Sequence, residues 1–236
     1  MPIIEVKDVS KKFGRHMALE GVSLSVSSGE SFAILGPNGA GKTTLVRILS
    51  TLIKPSSGTV KIAGHDVFEE PEEIKRKIGV VSHNPFLYDD LTALENMTFY
   101  ADLYGVDRKN ADALIKKLGL QERRDNFVCE FSRGMKQRLS IARSLLHDPK
   151  ILILDEPTAG LDVQSMHTFY DTIKRLGKKG TTVMLTTHNL SEAERLCQNA
   201  AILDNGIVKA SGRLEDIKGG KGSLEDAYIE LTGRTR

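Results

Sequence analysis

Residues 36–44 combine glycines, a lysine and two threonines at a spacing that suits the binding of phosphate groups. They read Gly36-Pro37-Asn38-Gly39-Ala40-Gly41-Lys42-Thr43-Thr44 and fit the pattern G-x-x-x-x-G-K-[ST]. Glycines let backbone N–H groups turn inward onto phosphate oxygens, in conformations that a Cβ would resist. We expect Lys42 to reach the β- and γ-phosphates of a nucleotide, and the Thr43 hydroxyl to ligate Mg²⁺. The segment therefore predicts a site for a nucleoside triphosphate.

The sequence on either side of this phosphate loop supports that interpretation. Ser31–Leu35 is a short, mostly apolar run typical of a buried strand, and Thr44–Leu49 follows with a helical pattern. A helix N-terminus favours anions, because its unpaired N–H groups carry partial positive charge. The alternative, a glycine-rich turn without a ligand, is less consistent with this strand–loop–helix context.

Two adjacent carboxylates, Asp155 and Glu156, follow the apolar run Ile151–Leu154. In open α/β sheets ligands bind outside the carboxyl ends of the strands, so we expect Asp155 to face the phosphate loop and to hold Mg²⁺ through water. Glu156, one residue further, is expected to point elsewhere, toward the water that attacks the γ-phosphate. The alternative is a solvated turn, which two carboxylates at a strand end would also suit.

His188 ends the next predicted strand, after Thr186 and Thr187. An imidazole at that position can donate to the γ-phosphate and orient the attacking water, although a lone histidine is more often structural. The remaining histidines that we considered lack such a context and are expected at the surface or in packing: His16, His65, His147 and His167.

Ser132 and Gly134 precede an amphipathic helix predicted over residues 135–147. They offer a hydroxyl and unhindered N–H groups at a positive helix end. Taken alone, they suit an ordinary helix N-cap.

The predicted strands and helices alternate in the manner of an α/β core. Strands are predicted at Ile3–Val9, Val22–Val26, Ser31–Leu35, Thr59–Ile62, Gly79–Ser82, Ile151–Leu154, Val183–Thr186 and Ala201–Leu203. Helices are predicted at Thr44–Leu49, Thr92–Leu103, Ala111–Leu118, Met135–His147, 163–176, 190–197 and Leu224–Leu231. We therefore expect a single domain over 1–236, in which a nucleotide-binding core, 1–84 and 149–236, is interrupted by an all-helical segment, 85–148.

Composition sets wide bounds on this domain. The 236 residues hold 33 Lys and Arg against 31 Asp and Glu, so the net charge of +2 indicates neither a nucleic-acid partner nor an anionic membrane surface. Cys129 and Cys197 are far apart, which predicts no zinc or redox motif and favours a reducing cytosol. The chain has no run of 18 apolar residues and no signal peptide, so we expect it not to span a membrane by itself.

Taken in order, these segments resemble the nucleotide-binding subunit of an ABC transporter. The match comprises the phosphate loop 36–44, a signature at 132–138, the strand end 155–156, a D-loop at Ala159-Gly160-Leu161-Asp162, and His188 as switch histidine. The resemblance implies an α/β P-loop NTPase core of ABC-ATPase type, with a mixed sheet, N-terminal antiparallel strands and an inserted helical subdomain. It also implies an ATPase that uses ATP and Mg²⁺, with Lys42, Glu156 and His188 as catalytic residues.

The same resemblance implies partners. Two such subunits would pack head to tail, so that Ser132 and Gly134 of one cap the γ-phosphate held by Lys42 of the other, while Asp162 links the two sites. Phe13 matches the aromatic residue that stacks on adenine, and the alternative is a core aromatic. The second subunit would be another copy or a paralogue. The pair would act with integral membrane permease subunits at the cytoplasmic face of the cell membrane, without nucleic acid.

Two segments depart from the family pattern. The usual signature L-S-G-G-Q is here Phe131-Ser132-Arg133-Gly134-Met135, so the phosphate-capping Ser and Gly remain. His83 stands where a glutamine usually contacts Mg²⁺, and the neighbouring Asn84 is the alternative metal-contacting residue. Segments 79–106 and 131–149 also resemble the ATPase subunit of haem exporters of cytochrome c biogenesis, which suggests export and haem as cargo.

Two other functional classes remain to be weighed. A soluble ABC-type regulator or scaffold would use the same ATP-driven closure to gate a partner without transport. A phosphotransferase would use the same phosphate loop but would not explain residues 132–138 or His188.

Overall fold

Ten strands form two sheets in the part of the chain that the computed structural model describes, which is residues 2–82, 85–220 and 222–233. The strands are β1 (Pro2–Phe13), β2 (His16–Ser27), β3 (Ser31–Leu35), β4 (Ser57–Ile62), β5 (His65–Asp66), β6 (Ile78–Val81), β7 (Ile151–Asp155), β8 (Thr182–Thr187), β9 (Asn199–Asp204) and β10 (Ile207–Arg213). The first sheet is antiparallel with order β2-β1-β4-β5, and the second has order β10-β9-β3-β8-β7-β6.

The six-stranded sheet carries the strand ends that matter for chemistry. Its pairs β9-β3, β3-β8, β8-β7 and β7-β6 are parallel, and β10 adds antiparallel to β9 at one edge. Every residue of β3 and β7 is buried, as expected of central parallel strands covered on both faces. The predicted α/β fold with a mixed sheet is confirmed, and the N-terminal antiparallel strands form a separate sheet of their own.

Alternate residues of the central strands enter two different cores. Phe32 and Ile34 of β3 pack in the core formed with α1 and the antiparallel sheet, whereas Ala33 and Leu35 pack in the core on the opposite, helical side. Because successive side chains of a strand point to opposite faces, this division fixes the register of β3 in the sheet. Strand β3, from which the phosphate loop starts, is therefore packed by a core on each face.

Helices cover the second face and fill the segment between β6 and β7. Within the described residues the α-helices are α1 (Lys42–Leu49), α2 (Pro71–Lys75), α3 (Ala93–Tyr104), α4 (Lys109–Lys117), α5 (Arg133–Ser144), α6 (Val163–Lys178), α7 (Leu190–Leu196), α8 (Leu214–Lys218) and α9 (Leu224–Thr232). Two short 3₁₀ helices lie at Gln121–Arg123 and Val128–Glu130. Within the described part of 85–148 the assigned elements are α3, α4, α5 and the two 3₁₀ helices, and one isolated β-bridge joins Thr92 to Phe127.

Several element boundaries differ from the predictions. Helix α5 begins at Arg133 rather than Met135, because the Ser132 side chain accepts a hydrogen bond from the Met135 N–H and so caps the helix two residues earlier. The sequence did not predict β5, α2, β10 or α8. Two of these, α2 and α8, are five residues long, which is too short to show a helical period.

Helix α5 is fastened to strand β6. The Arg143 guanidinium donates to the Val80 carbonyl at 3.0 Å, and a His147 ring nitrogen lies 3.0 Å from the Ile78 carbonyl. A Cβ placed on Gly79 would lie 2.4 Å from the Ser144 carbonyl oxygen, so only glycine allows this approach. Burial lowers the pKa of His147. The expectation that His147 serves in packing is confirmed, and the helical segment is tied to the edge of the core sheet.

Candidate functional site

The phosphate loop lies between β3 and α1, where the predicted strand and helix are confirmed. A Cβ on Gly36 would lie 2.2 Å from the Leu203 carbonyl oxygen of β9. At Gly41, whose φ is +105°, a Cβ would lie 2.5 Å from the Ala18 carbonyl oxygen of β2. The loop is therefore pressed against both sheets, and these two positions accept no larger residue without a shift of the backbone.

Lys42 begins α1 with its side chain folded back over the loop. Its ammonium group donates to the carbonyl of Gly36 at 2.7 Å and to that of Pro37 at 3.0 Å. It also lies 3.1 Å from a carboxylate oxygen of Glu156, at the end of β7. The lysine side chain is only 5% exposed. A buried charge needs such partners, so the loop carbonyls and Glu156 hold the cation where a phosphate group would meet it.

Glu156 joins the phosphate loop to His188. Its second carboxylate oxygen lies 2.7 Å from His188 Nδ1. The backbone turns at Glu156, where φ is +48°, and its N–H donates to both the carbonyl and the hydroxyl of Thr186, at 3.1 and 3.2 Å. The sequence predicted that Glu156 points elsewhere than Asp155, toward the attacking water. The structure adds a contact that the sequence did not predict, because the left-handed turn brings the carboxylate to Lys42 of the loop.

Asp155 and Thr43 present two oxygen atoms at the base of this cluster. Asp155 Oδ1 accepts from the Thr186 hydroxyl at 2.6 Å and from the Thr43 hydroxyl at 3.4 Å. Carboxylate and hydroxyl oxygens are ligands that Mg²⁺ accepts, usually with phosphate oxygens completing its shell. These two residues therefore fit that ion when a nucleotide is present. In the described part of the chain no group of three or more His, Cys, Asp or Glu gathers as a metal site. The third predicted metal-contacting residue, His83, lies outside the described residues, as does its alternative Asn84.

A cavity of about 330 Å³ opens beside the loop. It is lined by Phe13, His16, Ala18, Asn38, Gly39, Ala40, Gly41, Lys42, Thr43, Thr44 and Glu156. The Phe13 side chain is 46% exposed and is not a core residue, and the ammonium group of Lys11 lies 5.0 Å from its ring centroid. The structure thus brings Phe13 to the predicted nucleotide site. His16, assigned from sequence to surface or packing, also reaches it, because β1 pairs Phe13 with His16 across a tight hairpin.

Ser132, Gly134 and Asp162 lie elsewhere. No residue of the 132–138 segment, and not Asp162, is among the described residues that line the phosphate-loop cavity. Ser132 caps α5, and Asp162 caps α6 by accepting hydrogen bonds from the N–H and the hydroxyl of Ser165, both at 2.8 Å. These bonds lower the pKa of the Asp162 carboxyl.

Gly134 has a packing role that the sequence did not reveal. A Cβ at this position would lie 2.2 Å from Ser165 Oγ and 2.7 Å from Ser165 Cβ. Helix α5 therefore approaches α6 at the residue whose hydroxyl completes the Asp162 cap. The signature segment and the D-loop are held together within one chain.

Arg133, which departs from the family pattern, extends the same contact. Its guanidinium lies against Gly160, where an added Cβ would be 2.3 Å from the nearest guanidinium nitrogen. Arg133 and Lys136 line a second cavity, of about 550 Å³, together with Glu156. Glu156 therefore faces both cavities, one on the phosphate-loop side and one on the signature side.

No helix within 2–82, 85–220 and 222–233 combines the length and apolar character that crossing a bilayer requires.

Known proteins are similar in sequence to this chain over nearly its whole length. A family model described as ABC transporter matches residues 19–159. The linearmycin resistance ATP-binding protein LnrL of Bacillus subtilis (strain 168) is 38% identical over 234 residues, which cover 98% of this chain and 75% of that protein. The Nod factor export ATP-binding protein I of Burkholderia lata is 38% identical over 218 residues, covering 90% of this chain and 72% of that protein.

Solved structures agree with the sequence comparison. A structure of the ATP-binding subunit of an ABC transporter superposes with a TM-score of 0.87 at 35% identity, covering 97% of this chain and 99% of that one. A dimeric post-hydrolysis state of an ATP-binding cassette, bound to ADP and Pi, superposes with a TM-score of 0.80 at 31% identity. That comparison covers 89% of this chain and 98% of the other.

Proposed function

This chain belongs to the ABC transporter family as an ATP-binding, ATP-hydrolysing subunit, and we propose that a pair of such subunits powers export through a membrane permease. The observation that carries the proposed catalytic roles is the cluster of Lys42, Glu156 and His188. Lys42 begins α1, Glu156 follows β7 and His188 follows β8. The Glu156 carboxylate lies between the other two groups, 3.1 Å from the Lys42 ammonium and 2.7 Å from His188 Nδ1.

The chemistry follows from the positions of these groups. Lys42 and the backbone N–H groups of the loop neutralise charge on the phosphoryl group that is transferred, which is the main catalytic contribution in such reactions. Glu156 positions the attacking water and accepts its proton, while His188 orients Glu156 and donates to the γ-phosphate. When bound with ATP, Mg²⁺ would neutralise the β- and γ-phosphate oxygens, and Thr43 and Asp155 would hold it. Phe13 offers its exposed ring to the adenine.

The proposed pair is arranged head to tail. In one chain the described residues around the phosphate loop include neither Ser132 nor Gly134, which supports their action on the nucleotide of a second subunit. Asp162 would link the two sites, and its position as the N-cap of α6, beside the signature helix, is consistent with that role. The second subunit is a copy of this chain or a paralogue. A related cassette forms a dimer with ADP and Pi bound.

Export is the proposed direction of transport. One relative is named for linearmycin resistance and another for Nod factor export, and the second name states export. Neither name supports haem, so the resemblance to haem exporters of cytochrome c biogenesis is not carried into this proposal. The proposed location is the cytoplasmic face of the cell membrane, with an integral membrane permease as partner.

The test is to purify the tagged chain from native membranes in mild detergent and to identify what accompanies it. We expect an integral membrane protein with several spanning helices. The Lys42→Ala variant is the control, since it should keep the same partner while losing ATP hydrolysis. Recovery of the chain only from the soluble fraction, with soluble partners, would favour the ABC-type regulator or scaffold instead.

A further inference from the structure

Glu192 is a buried carboxyl group for which the proposed reaction has no use. It lies on α7, four residues after His188, and is only 1% exposed. Neither of its carboxylate oxygens makes a hydrogen bond of ordinary length and angle. Among the described residues, no Lys, Arg or His nitrogen forms an ion pair with it. An ionised carboxylate in such a place would be costly, so the group must either find a cation or keep its proton.

The surroundings of Glu192 connect it to the catalytic cluster. Burial raises the pKa of its carboxyl, and the nearby charge of Glu156 raises it further, while the hydroxyls of Thr187 and Thr158 and the ring of His188 act in the opposite direction. The two hydroxyls are thus within electrostatic reach, although neither satisfies an ordinary hydrogen bond to the carboxyl. The pKa of the Glu192 carboxyl is raised overall.

The two threonines belong to the two segments that carry the catalytic pair. Thr158 follows Glu156 by two residues, and Thr187 immediately precedes His188. The Thr187 hydroxyl oxygen accepts from the Asn189 N–H at 3.0 Å, which leaves its hydrogen free to be donated. A protonated carboxyl can accept one hydrogen bond and donate another, whereas an ionised one can only accept. A neutral acid therefore suits a place between two hydroxyls.

We propose that Glu192 is a positioning residue, which keeps a proton and joins the turn carrying Glu156 to the strand end carrying His188 through Thr158 and Thr187. This inference rests on the proposed roles of Glu156 and His188. It adds a residue that touches neither nucleotide nor water and acts by holding the other two at their 2.7 Å contact.

The other titratable groups around this position do not supply a counter-charge. From α6, Tyr170 faces Glu192, and the same carboxyl contributes to the raised pKa of that phenol. Cys197, at the end of α7, is also buried, and Glu192 adds to the rise in the pKa of its thiol. The guanidinium of Arg195 lies 4.9 Å from the Tyr170 ring centroid and stacks there instead.

The first test compares Glu192→Gln with Glu192→Ala in ATP hydrolysis by the full chain, assayed well below the melting temperature. The amide of Gln is neutral and keeps one donor and one acceptor, so we expect kcat to stay within about twofold of wild type. The alanine variant should lose about tenfold to a hundredfold in kcat, with the KM for ATP unchanged, because misplaced catalytic groups slow chemistry rather than binding. Glu194→Gln, on the same helix but ion-paired with Lys218 at the surface, is the control and should change neither.

Two kinetic outcomes would overturn the inference. If Glu192→Ala keeps the wild-type kcat, Glu192 does not position Glu156 or His188, even if the variant has a lower melting temperature. If Glu192→Gln loses as much kcat as Glu192→Ala, the negative charge is required and the neutral acid is wrong.

The second test measures the melting temperature of wild type and Glu192→Gln against pH. With a folded-state pKa above the ordinary 4.5, the carboxyl ionises in the unfolded chain first, so wild type loses stability as pH rises above that value. The amide has no such dependence. We expect the melting temperature of Glu192→Gln to gain on wild type as the pH rises above the ordinary pKa, until the carboxyl ionises in the folded chain as well. A difference that stays constant as the pH rises from acid to neutral would overturn the retained proton.

A parallel assay of Glu156→Gln separates this inference from the proposed function. Full hydrolysis by Glu156→Gln would remove the proposed role of Glu156, whatever Glu192 does. An inactive Glu156→Gln together with a fully active Glu192→Ala would leave the proposed function standing and remove the positioning residue alone.

Discussion

Glu156 is the residue on which the proposed site turns, because one carboxylate contacts both Lys42 and His188. The contact with Lys42 neutralises a charge that is almost fully buried. A phosphate group that binds to Lys42 must share or replace this partner. In the proposed mechanism the same carboxylate would then lie next to the γ-phosphate and act on water there.

Glu156→Gln should therefore separate binding from chemistry. We expect kcat to fall by about 10²–10⁴-fold, since a neutral amide cannot accept a proton from water. ATP binding should be retained or tightened, because Lys42 loses its competing anion, and the variant should accumulate as an ATP-bound dimer. Phosphate release and equilibrium ATP binding measure the two effects. Retained turnover would show that another group activates the water.

At the level of elements, the contact between α5 and α6 joins two motifs of one chain. Gly134 of the signature approaches Ser165, whose hydroxyl bonds to the Asp162 cap of α6. The glycine thus has a packing reason besides any contact with a nucleotide in another subunit. Loss of hydrolysis in a Gly134 variant would for this reason need a stability measurement beside it.

Gly134→Ala should destabilise the fold by about 1–3 kcal/mol, because the new Cβ overlaps both Ser165 Oγ and Ser165 Cβ. Denaturant unfolding measures this loss. Ser165→Gly itself loses the hydroxyl bond to Asp162, but in that background the nearest atom of residue 165 to the new Cβ is the Cα, at 4.0 Å, so Gly134→Ala should then cost much less than it does in wild type. Gly177→Ala is the matched control in a helix: its Cβ would meet only Ser31 Oγ at 3.5 Å, so no loss of stability is expected, and the higher helix propensity of Ala should raise it slightly. An equal loss in both alanine variants would rule out the overlap as the cause.

At the scale of the whole molecule, the nucleotide site and the signature occupy different places in one chain, which is why two subunits are proposed. Lys42→Ala removes the phosphate contact of one site, whereas Ser132→Asp keeps a good helix cap but sets a negative charge against the partner's phosphate. Each variant alone should be inactive. Mixed in equal amounts, they should regain about a quarter of wild-type activity, since half the dimers are mixed and each of these has one complete site.

Hydrolysis and melting curves of the separate and mixed variants decide this point. Unchanged melting of Ser132→Asp would confirm that its cap is intact. If Ser132→Asp alone hydrolyses ATP at the wild-type rate, the signature does not complete a second subunit's site, and the head-to-tail pair is wrong.

The sequence by itself determined the local parts of this protein. The phosphate loop, the buried strand before it, the helix after it and the helix cap at Ser132 depend on residue types a few positions apart, so their spacing predicts their backbone. Strand β10 escaped prediction because it lies at a sheet edge, half-exposed, and lacks the apolar alternation of the inner strands. His83 stays a prediction from sequence alone.

Only the tertiary structure decided which distant residues meet. Lys42 and Glu156 touch because β3 and β7 flank β8 in a parallel sheet, and the left-handed turn at Glu156 then directs its side chain back to the loop. The approach of Gly134 to Ser165 and the burial of Glu192 likewise depend on how separate helices pack. Local spacing encodes local conformation, but contacts between segments far apart in the chain are set by strand order and packing of the completed core.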